Sequence, residues 1–401
     1  MLKIITAFIS FILSSLLSYS IEGWEEQESG TNVDLVKIQF VDMNNGWIVG
    51  DSGTILHTTN GGQIWIKQNS GTEFMLDNLF FANENIGWAV GDSGIVLKTT
   101  DGGDEWVKQS LKPKKQIMSI YFLNITEGWA VGEDGIIIKT TDGGEVWTLL
   151  DLTTGNHLWS VYFHDKDNGW AVGEFGRLIH TNDGGVTWSI KNSPIPYRIL
   201  KINFLNNVFG WMSGFGYIAV TTNGGDSWES VYTSNLIVID SKYTDENNCW
   251  AVSYEGNILH KDAFNNEWQS TKLNSISGYH GLWSQDSNNV WIVTTSGKIL
   301  HTKTGGVTNI EDVVVDDFNI STYPNPSQNT TKIEYTINNF SNVNLVITNV
   351  TGSIVKEFNL GEQAPGEHIF NIDTKYLPQG IYFIKLKAGE LVETGKMVVI
   401  E

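Results

Sequence analysis

The feature that most constrains the fold of this chain is a repeat of about 41 residues marked by tryptophan. One series of tryptophans is spaced by 41, 41, 41, 41, 39 and 41 residues and consists of Trp47, Trp88, Trp129, Trp170, Trp211, Trp250 and Trp291. A second series runs in register with it and consists of Trp24, Trp65, Trp106, Trp147, Trp188, Trp228 and Trp268. A fixed period of this length indicates a repeat architecture, and the two series of seven predict seven repeats.

Each repeat divides into four short strands. The first repeat reads LVKIQF, GWIVG, TILHTT and IWIKQ, separated by the turn sequences VDMNN, DSG and NGG. Strands of this length, punctuated by Asn, Asp and Gly, favour an antiparallel meander. Four strands in 41 residues match one blade of a β-propeller. The predicted fold class is therefore all-β, with a seven-bladed β-propeller over residues 21–306.

The two ends of the propeller region complement each other. Residues 24–31 read WEEQESGT and match WIKQNSGT at residues 65–72, so the chain begins with an outer strand that has no blade of its own. The last repeat lacks its tryptophan strand after Gly306. We expect the N-terminal strand to complete blade seven, which would remove the open sheet edges of an unclosed ring.

Residues 1–20 are predicted to be a secretory signal peptide cleaved after Ser20. Lys3 precedes an apolar stretch from Ile4 to Leu17, and small residues stand at Ser18 and Ser20. As a helix the stretch would reach about 21 Å, short of a bilayer core of roughly 30 Å, which disfavours the alternative of an uncleaved anchor. No other segment is long and apolar enough to suggest a membrane span.

The TTDGG-x-x-W boxes resemble the Asp-box (BNR-type repeat) of sialidase-like and sortilin-type propellers. With the preceding GWAVG strand, the pattern resembles the photosystem II stability/assembly-factor-like repeat over residues 24–306, which implies a role in assembling a membrane complex. The acidic position of the box is occupied by Asp101, Asp142 and Asp183, and by Asn60 and Asn223. Metal or ligand binding is one interpretation; we favour hydrogen bonding within the turn, since a residue repeated in every blade serves the blade.

The period stops after Gly306. Residues 307–320 form an acidic linker, and residues 321–401 contain no tryptophan but several short alternating runs, which predict a small Ig-like β-sandwich. This segment resembles the type A C-terminal sorting domain of the type IX secretion system and departs from it at Gly395, where that family more often carries Lys. The matching landmarks are Pro324, Asn325, Pro326, Gly352, Gly380, Tyr382 and Lys396.

The resemblance implies export from a Gram-negative bacterium. The chain would cross the periplasm, engage the type IX machinery through residues 321–401, and reach the cell surface or the medium. The export route argues against work on a photosystem. An adhesion domain with the same sandwich fold is the alternative interpretation of the segment.

Composition excludes several partners and cofactors. A net charge of −20 disfavours nucleic acid and anionic membrane surfaces. The single cysteine, Cys249, excludes an internal disulfide and a Cys-cluster zinc site. One repeat position holds His57, His180, His260 and His301, and elsewhere Lys98, Lys139 and Val220, which indicates a blade-surface position rather than a set of metal ligands. No phosphate-binding loop is recognisable, so neither a metal nor a cofactor is predicted.

Catalysis has little support in the sequence. The chain has two arginines, Arg177 and Arg198, too few for the arginine cluster that a sialidase uses to bind a carboxylate. Other glycosidases need two facing carboxylates. The acids that follow the second strands recur at equivalent positions and so are spread around the ring: Asp51, Asp92, Glu133 and Glu174. We therefore expect a non-enzymatic protein, with a glycan-cleaving secreted enzyme as the alternative.

The candidate ligand face consists of the loops that differ between repeats. These loops join the fourth strand of one blade to the first strand of the next, and they concentrate cations and aromatic rings, a composition that binding surfaces favour. Ordinary loop variability is the alternative explanation. The residues are Lys112, Lys114, Lys115, His157, Trp159, Tyr197, Arg198, Tyr279, His280 and Trp283. We expect them to line one rim of a central funnel and to bind a protein or a glycan.

Overall fold

The computed structural model describes residues 20–21, 23–109, 111–112, 114–150, 155–261, 267–273, 278–306, 320–337, 340–350, 352–388 and 391–400. The chain forms two compact units, residues 1–307 and 308–401. The predicted signal peptide, apart from Ser20, and the predicted linker, apart from Ile320, lie outside the described residues. In the described part, strands alternate with turns, and no helix is long and apolar enough to cross a membrane.

The first unit is a β-propeller, as the repeat predicts. Blades one to four are sheets of four antiparallel strands in chain order. The strands of blade one are Leu35–Phe40, Gly46–Gly50, Ile55–Thr58 and Ile66–Gln68, and those of blade two are Leu76–Phe81, Gly87–Gly91, Val96–Thr99 and Val107–Lys108. The strands of blade three are Ile117–Phe122, Gly128–Gly132, Ile137–Thr140 and Thr148–Leu150. Those of blade four are Leu158–Phe163, Gly169–Gly173, Leu178–Thr181 and Ser189–Ile190. Short 3-10 turns follow several second strands, at Asp92–Gly94, Glu133–Gly135, Glu174–Gly176 and Thr295–Gly297.

Blades five and six are joined into one six-stranded sheet. Its strands are Ile199–Phe204, Gly210–Thr221, Glu229–Tyr243, Cys249–Ser253, Asn257–Lys261 and Trp268–Lys272. The loop expected at residues 233–237 is instead extended backbone within a strand, with Phe215 paired to Ile237. Gly216, with a φ of +81°, takes the left-handed place of Ser52, but Tyr217 stands where the other blades have a left-handed glycine such as Gly53, and the ladder shifts register between Phe215 and Tyr217 instead of turning.

Blade seven is built from both ends of the propeller unit. Tyr279–Ser284, Val290–Thr294 and Ile299–Thr302 are followed in the sheet by Trp24–Gln27 and then Ser20–Ile21, with Glu25 opposite His301. Trp24 is buried, and its ring meets that of Trp250 edge-on at 5.9 Å. Gln27 accepts a hydrogen bond from Trp65 Nε1 at 3.2 Å, as Gln68 does from Trp106 in the next blade. The N-terminal strand thus makes the contacts of an ordinary outer strand.

The box turns are held by their own side chains. In blade two the Thr99 hydroxyl donates to Asp101 Oδ1 at 2.8 Å, and that oxygen also accepts the backbone N–H of Glu105 at 3.0 Å. The acceptor recurs in the other box turns as Asn60, Asp142, Asp183 and Asn223. Since Asp and Asn serve alike, the turn needs an acceptor oxygen and no charge.

The tryptophan of each second strand links its blade to the next. Trp47 Nε1 donates to the carbonyl of Gly102 in blade two at 2.9 Å, and its ring stacks on Phe81 at 3.7 Å. On its other face it stacks on His57 at 4.5 Å. The other three histidines of this repeat position pack on the indole of their own blade in the same way. The predicted blade-surface position is wrong for His301, which is buried, whereas His57, His180 and His260 are half-buried. A lysine can occupy the same site, since Lys139 lies 4.7 Å above the Trp129 ring.

The first strand of each blade faces the centre of the ring, and these seven are called the inner strands. They are Leu35–Phe40, Leu76–Phe81, Ile117–Phe122, Leu158–Phe163, Ile199–Phe204, residues 238–243 and Tyr279–Ser284. Their first, fourth and sixth residues are mostly buried between blades. Their second, third and fifth residues line the central channel. These positions supply the side chains of the candidate site.

The second unit is a small two-sheet β domain, in agreement with the predicted sandwich. One sheet has the order Ile320–Tyr323, Thr330–Ile337, Gly366–Asp373, and the other has the order Ile354–Gln363, Ser341–Asn349, Gly380–Ala388, Leu391–Val399. Alternate residues of these strands, such as Ile333, Leu345 and Ile384, are fully buried and form one apolar core. The alternation of the sequence thus corresponds to one buried and one exposed face per sheet.

The sorting-domain landmarks occupy defined structural positions. The side-chain amide of Asn325 bonds to the backbone of the last strand in the way a neighbouring strand would. Its Nδ2 donates to the Lys396 carbonyl, and its Oδ1 accepts the Val398 N–H, both at 2.8 Å. The Tyr382 hydroxyl donates to the Pro378 carbonyl at 2.7 Å. The other landmarks lie in turns or at strand ends: Pro324, Pro326, Gly352 and Gly380.

Candidate binding site at the mouth of the central channel

A cavity of about 360 Å³ opens at the end of the channel where the inner strands begin, and is called the mouth cavity. The second residue of every inner strand lines it, and these seven residues are all different: Val36, Asp77, Met118, Trp159, Leu200, Ile239 and His280. The blade-five/six sheet adds Phe215 and Ile237, and Tyr254 completes the wall. A concave, mainly apolar lining with a few polar groups is typical of a ligand site.

Arg198 is the cation at the rim of this cavity. Its guanidinium lies 4.9 Å from the Trp159 ring and 5.3 Å from the Phe215 ring, and its Nη2 lies 3.2 Å from Glu174 Oε1. These contacts fix the orientation of the side chain while leaving some of its five N–H donors for a ligand. The side chain is 39% exposed, so a ligand in the cavity can reach it.

Two polar atoms in the cavity wall are buried without a hydrogen-bond partner among the described residues. They are Trp159 Nε1 and His280 Nε2. Burial lowers the pKa of His280, so the ring is neutral near pH 7 and one of its nitrogens is free to donate or accept. Since buried polar groups in native proteins are normally satisfied, a small side-chain shift that exposes either nitrogen to the cavity would let a polar ligand group or water complete its hydrogen bond.

A second cavity of about 170 Å³ lies along the channel and is called the channel cavity. It shares Lys37, Asn78, Ser160, Lys201 and Asp240 with the mouth cavity, so the two adjoin. The fifth residues of the inner strands line it, and these are Gln39, Phe80, Tyr121, Tyr162, Asn203, Lys242 and Trp283. The aromatic rings of Phe80, Tyr121 and Tyr162 thus line the channel at blades two to four. Its lysines, Lys37, Lys201 and Lys242, come from blades one, five and six.

Two carboxyl groups in the mouth cavity have opposite electrostatic surroundings. Burial raises the pKa of Asp77 to about 7, although Gln116 Nε2 donates a hydrogen bond to it at 2.9 Å. Asp240 is also buried, but Lys37 and Lys201 and backbone N–H donors lower its pKa. Asp77 is thus half protonated near neutral pH, whereas Asp240 is ionised.

The structure separates the predicted ligand-face residues into groups. Trp159, Arg198 and His280 line the mouth cavity, and Trp283 lines the channel cavity. Tyr279 is fully buried between blades, so its placement on a rim is wrong. The error comes from the strand boundary: Tyr279 is the first residue of an inner strand, a buried position in every blade, and not the last residue of a loop.

The remaining predicted residues lie outside both cavities. His157 Nδ1 accepts the backbone N–H of Asp134 at 2.9 Å, and Lys115 pairs with the Asp134 carboxylate at 3.1 Å. Tyr197 is 59% exposed, with its ring centroid 6.4 Å from that of Tyr217. Lys112 and Lys114 are exposed. A rim of ten residues around one funnel is therefore wrong in extent, although part of it does meet at the channel mouth.

Sequence reasoning missed the channel residues themselves. Lys37, Asp77, Lys201, Phe215 and Asp240 line the cavities but lie on strands rather than in variable loops. Aligning the inner strands position by position would have pointed to Asp77 at the second position, where no residue repeats, and to Lys37, Lys201 and Asp240 at the third position. Phe215 lies outside the inner strands, on Gly210–Thr221, and has no such signal. Among the described residues, no group of three or more His, Cys, Asp or Glu is arranged to hold a metal ion.

Together, these features define the class of protein: a β-propeller with a divergent channel mouth, followed by a small β domain at the C-terminus. The family model described as photosynthesis system II assembly factor YCF48 matches residues 17–115, 69–155 and 146–241, which together cover more than half of the chain. The chain therefore belongs to this YCF48-like family of BNR propellers. A secretion-system C-terminal sorting domain matches residues 321–401.

Solved structures agree with this fold. A structure of YCF48 bound to D1 peptide has a TM-score of 0.59 at 22% identity, covering 72% of this chain and 97% of that one. YCF48 from Cyanidioschyzon merolae gives 0.60 at 21% identity, with 70% and 98% covered. PorZ of the type IX secretion system of Porphyromonas gingivalis gives 0.54 at 13% identity, with 94% and 60% covered. No curated protein sequence matches the chain.

The sorting domain determines where the protein goes. A type IX sorting domain at residues 321–401 indicates export to the cell surface or secretion, and it makes the type IX machinery a partner of the C-terminal unit. The propeller is therefore a cargo of that system. Its own partner is a separate question, which the cavities address.

Proposed function

We propose that the protein is a non-catalytic binding propeller that holds a segment of a partner protein in the mouth cavity at the bacterial surface. The observation that carries this proposal is the mouth cavity itself, where seven different side chains from seven equivalent positions converge around Arg198. A cavity of about 360 Å³ accommodates one or two side chains of an extended peptide. Family membership supports the proposal, since a relative's structure holds a peptide.

Export supports a surface role rather than one inside the cell. We propose that residues 1–20 are a cleaved signal peptide of a Gram-negative host, and that residues 321–401 then direct the folded propeller through the outer membrane. Deleting residues 321–401 should leave a folded propeller in the periplasm. Normal surface levels of the truncated protein would contradict the route.

Photo-crosslinking on intact cells tests the mouth cavity directly. Tyr254 lines the cavity and is 52% exposed, so a benzoylphenylalanine in its place should form a discrete adduct with the partner. The matched control is Val146, which is 62% exposed and lies in the box turn of blade three. We expect no specific adduct from that position.

Cavity variants identify what forms the adduct. Trp159→Ala and Arg198→Ala each remove one wall of the site and should weaken the partner by about tenfold or more, because buried aromatic and arginine anchors dominate interfaces. The adduct at position 254 should disappear with them, while the amount of surface protein stays the same. Adducts that form only from position 146 would place the partner at the box end, which is the end of the propeller that carries the box turns, and would reject the proposal.

A glycan-cleaving enzyme is the second candidate, and Asp77 and Asp240 are the specific observation that favours it. Glycosidases pair a carboxylic acid that donates a proton with an ionised carboxylate, and the opposite pKa shifts of these two groups in one cavity fit that division of roles. A hydrolysis screen on polysaccharides with the purified protein tests it. Activity abolished by both Asp77→Asn and Asp240→Asn would replace the binding proposal.

A further inference from the structure

The lysines that line the channel cavity indicate the charge of the ligand group that binds there. Within the described residues, the channel cavity contains three ammonium groups, those of Lys37, Lys201 and Lys242, but Asp240 as the sole acid. The chain as a whole has a net charge of −20, so this local excess of positive charge is opposite to the composition of the protein. Buried charge of one sign is costly unless a counter-ion accompanies it.

The carboxylate of Asp240 is already committed to Lys37. Lys37 Nζ lies 2.5 Å from Asp240 Oδ2, and the same carboxylate accepts the N–H groups of Ser241 and Leu282 at 3.0 and 3.2 Å. Lys37 belongs to blade one and Asp240 to blade six, so the pair spans blade seven. It can do so because the equivalent residue of blade seven is Gly281, which has no side chain.

Lys201 and Lys242 are left with incomplete partners. Lys201 Nζ is 3.8 Å from Asp240 Oδ1, beyond hydrogen-bond distance, and its side chain is 20% exposed. Lys242 Nζ lies 4.0 Å from the centroid of the Trp283 ring, a contact that uses no acceptor atom. Burial and the neighbouring ammonium groups lower the pKa of Lys201 to about 7 and that of Lys242 to about 8. Burial is the largest cause of both shifts, and an anion bound beside the ammonium groups would oppose them.

We propose that the channel cavity is an oxyanion site, in which a carboxylate, phosphate or sulfate group of the ligand is bound between Lys201 and Lys242. Two ammonium groups supply up to six N–H donors and the charge that such a group needs. The 170 Å³ volume suits one anionic group with a few attached atoms rather than a folded segment. The proposal deepens the proposed function and rests on it, since the two cavities adjoin at shared residues that include Lys201 and Asp240.

Small anions test the site without knowledge of the partner. Isothermal titration of the full-length protein with sulfate, phosphate, malonate and glucuronate, in a chloride buffer at about pH 6, should show one binding site per chain. The ranking of these probes separates the three oxyanion chemistries. Lys201→Met and Lys242→Met keep the apolar stem of the side chain, and each should weaken the best probe by about tenfold or more.

Two control variants make the result specific. Lys108→Met removes an exposed lysine of the outer strand of blade two and should leave anion binding unchanged. Trp159→Ala should abolish the partner adduct but leave small-anion binding intact, because Trp159 lines the mouth cavity and not the channel cavity. A partner adduct that is absent, or that persists in Trp159→Ala, would reject the proposed function, whereas anion binding that is absent, or that ignores both lysine changes, would reject the oxyanion site.

The pH dependence provides a second measurement that needs no change at the lysines. Because an oxyanion binds the charged form of Lys201 and Lys242, the affinity for sulfate, whose own charge is constant in this range, should fall by about tenfold or more between about pH 6 and about pH 9, with proton uptake on binding. Asp77 ionises in the same range. Lys37, Asp240, Arg198 and His280 also face the cavities, and the lowered pKa values of Asp240 and His280 keep the first ionised and the second mainly neutral there. The titration is therefore repeated in Asp77→Asn.

Two results would overturn the proposal. One is that none of the four probes binds to the wild-type protein at either pH. The other is that binding persists unchanged in the folded double variant Lys201→Met/Lys242→Met, or keeps the same affinity across the pH range in Asp77→Asn.

Discussion

The box end and the channel mouth of the propeller are built under opposite constraints. At the box end, the same Thr–Asp or Thr–Asn contacts recur in blade after blade, and each closes its own turn. At the mouth, the second residues of the inner strands are all different, yet they line one cavity. Identity between repeats therefore marks the residues that hold the ring, and divergence marks the residues that are free to bind.

The largest expected effect tests whether the N-terminal strand belongs to the repeated framework. Trp24→Ala should lower the free energy of unfolding by about 3–5 kcal/mol, because a large buried ring packed on Trp250 is lost. Chemical unfolding followed by fluorescence measures the change. The matched control is Trp159→Ala at the mouth, which should cost much less stability while removing the partner.

The opposite outcome would break the comparison. If Trp24→Ala is tolerated and Trp159→Ala unfolds the propeller, then the divergent residues carry the ring and the repeated ones do not. Deleting residues 21–31 is a harsher form of the same test, since it exposes the edge of the strand Ile299–Thr302.

The fold followed from the sequence because its signals are local and repeated. The Trp spacing predicted the four-stranded blades, and the box turns use contacts within a few residues of each other. The joined sheet of blades five and six was missed because Tyr217 replaces the left-handed glycine of the other blades, and a bulge forms there in place of a turn. A single substitution of this kind has no periodic signal.

The site was harder to predict because its members are far apart in sequence. Lys37 and Asp240 are separated by most of the propeller, and they meet only because the ring closes and Gly281 leaves room. Loop variability pointed to Trp159, Arg198 and His280 at the correct end, but it also selected Lys112 and Lys114, which line neither cavity. Variation at inward-facing strand positions is the more specific signal.

An intermediate effect on stability is expected at Asp77, whose carboxyl group lines the mouth cavity and destabilises the folded protein when it ionises. Burial raises its pKa to about 7, above the value in an unfolded chain, so the folded state loses stability as pH rises from about 4 through 7. Asp77→Asn removes that loss and can keep the hydrogen bond from Gln116. Melting temperatures of the two proteins should coincide at about pH 3 and diverge at about pH 8, with the variant the more stable. A difference in melting temperature between the two proteins that is the same at both pH values would contradict the raised pKa.

The smallest expected effect sharpens the interpretation of the box. Asp142 Oδ1 accepts hydrogen bonds from the Thr140 hydroxyl and the Val146 N–H, and these bonds lower the pKa of the carboxyl group. Asp142→Ala should lower the melting temperature, by an amount smaller than the shift caused by either change above, and leave partner and anion binding unaffected. Asp142→Asn should restore the wild-type melting temperature near pH 7, because Asn60 already makes the same turn contact in blade one.

The stabilisation by the Asp142 carboxylate is present above the pKa of the unfolded chain, about 4, and is lost as pH falls through the lowered folded value. The Asn variant should therefore melt at a less pH-dependent temperature than the wild type below about pH 4. Loss of binding in Asp142→Ala would mean that the box end is also a ligand surface, and the division between the two ends would fail.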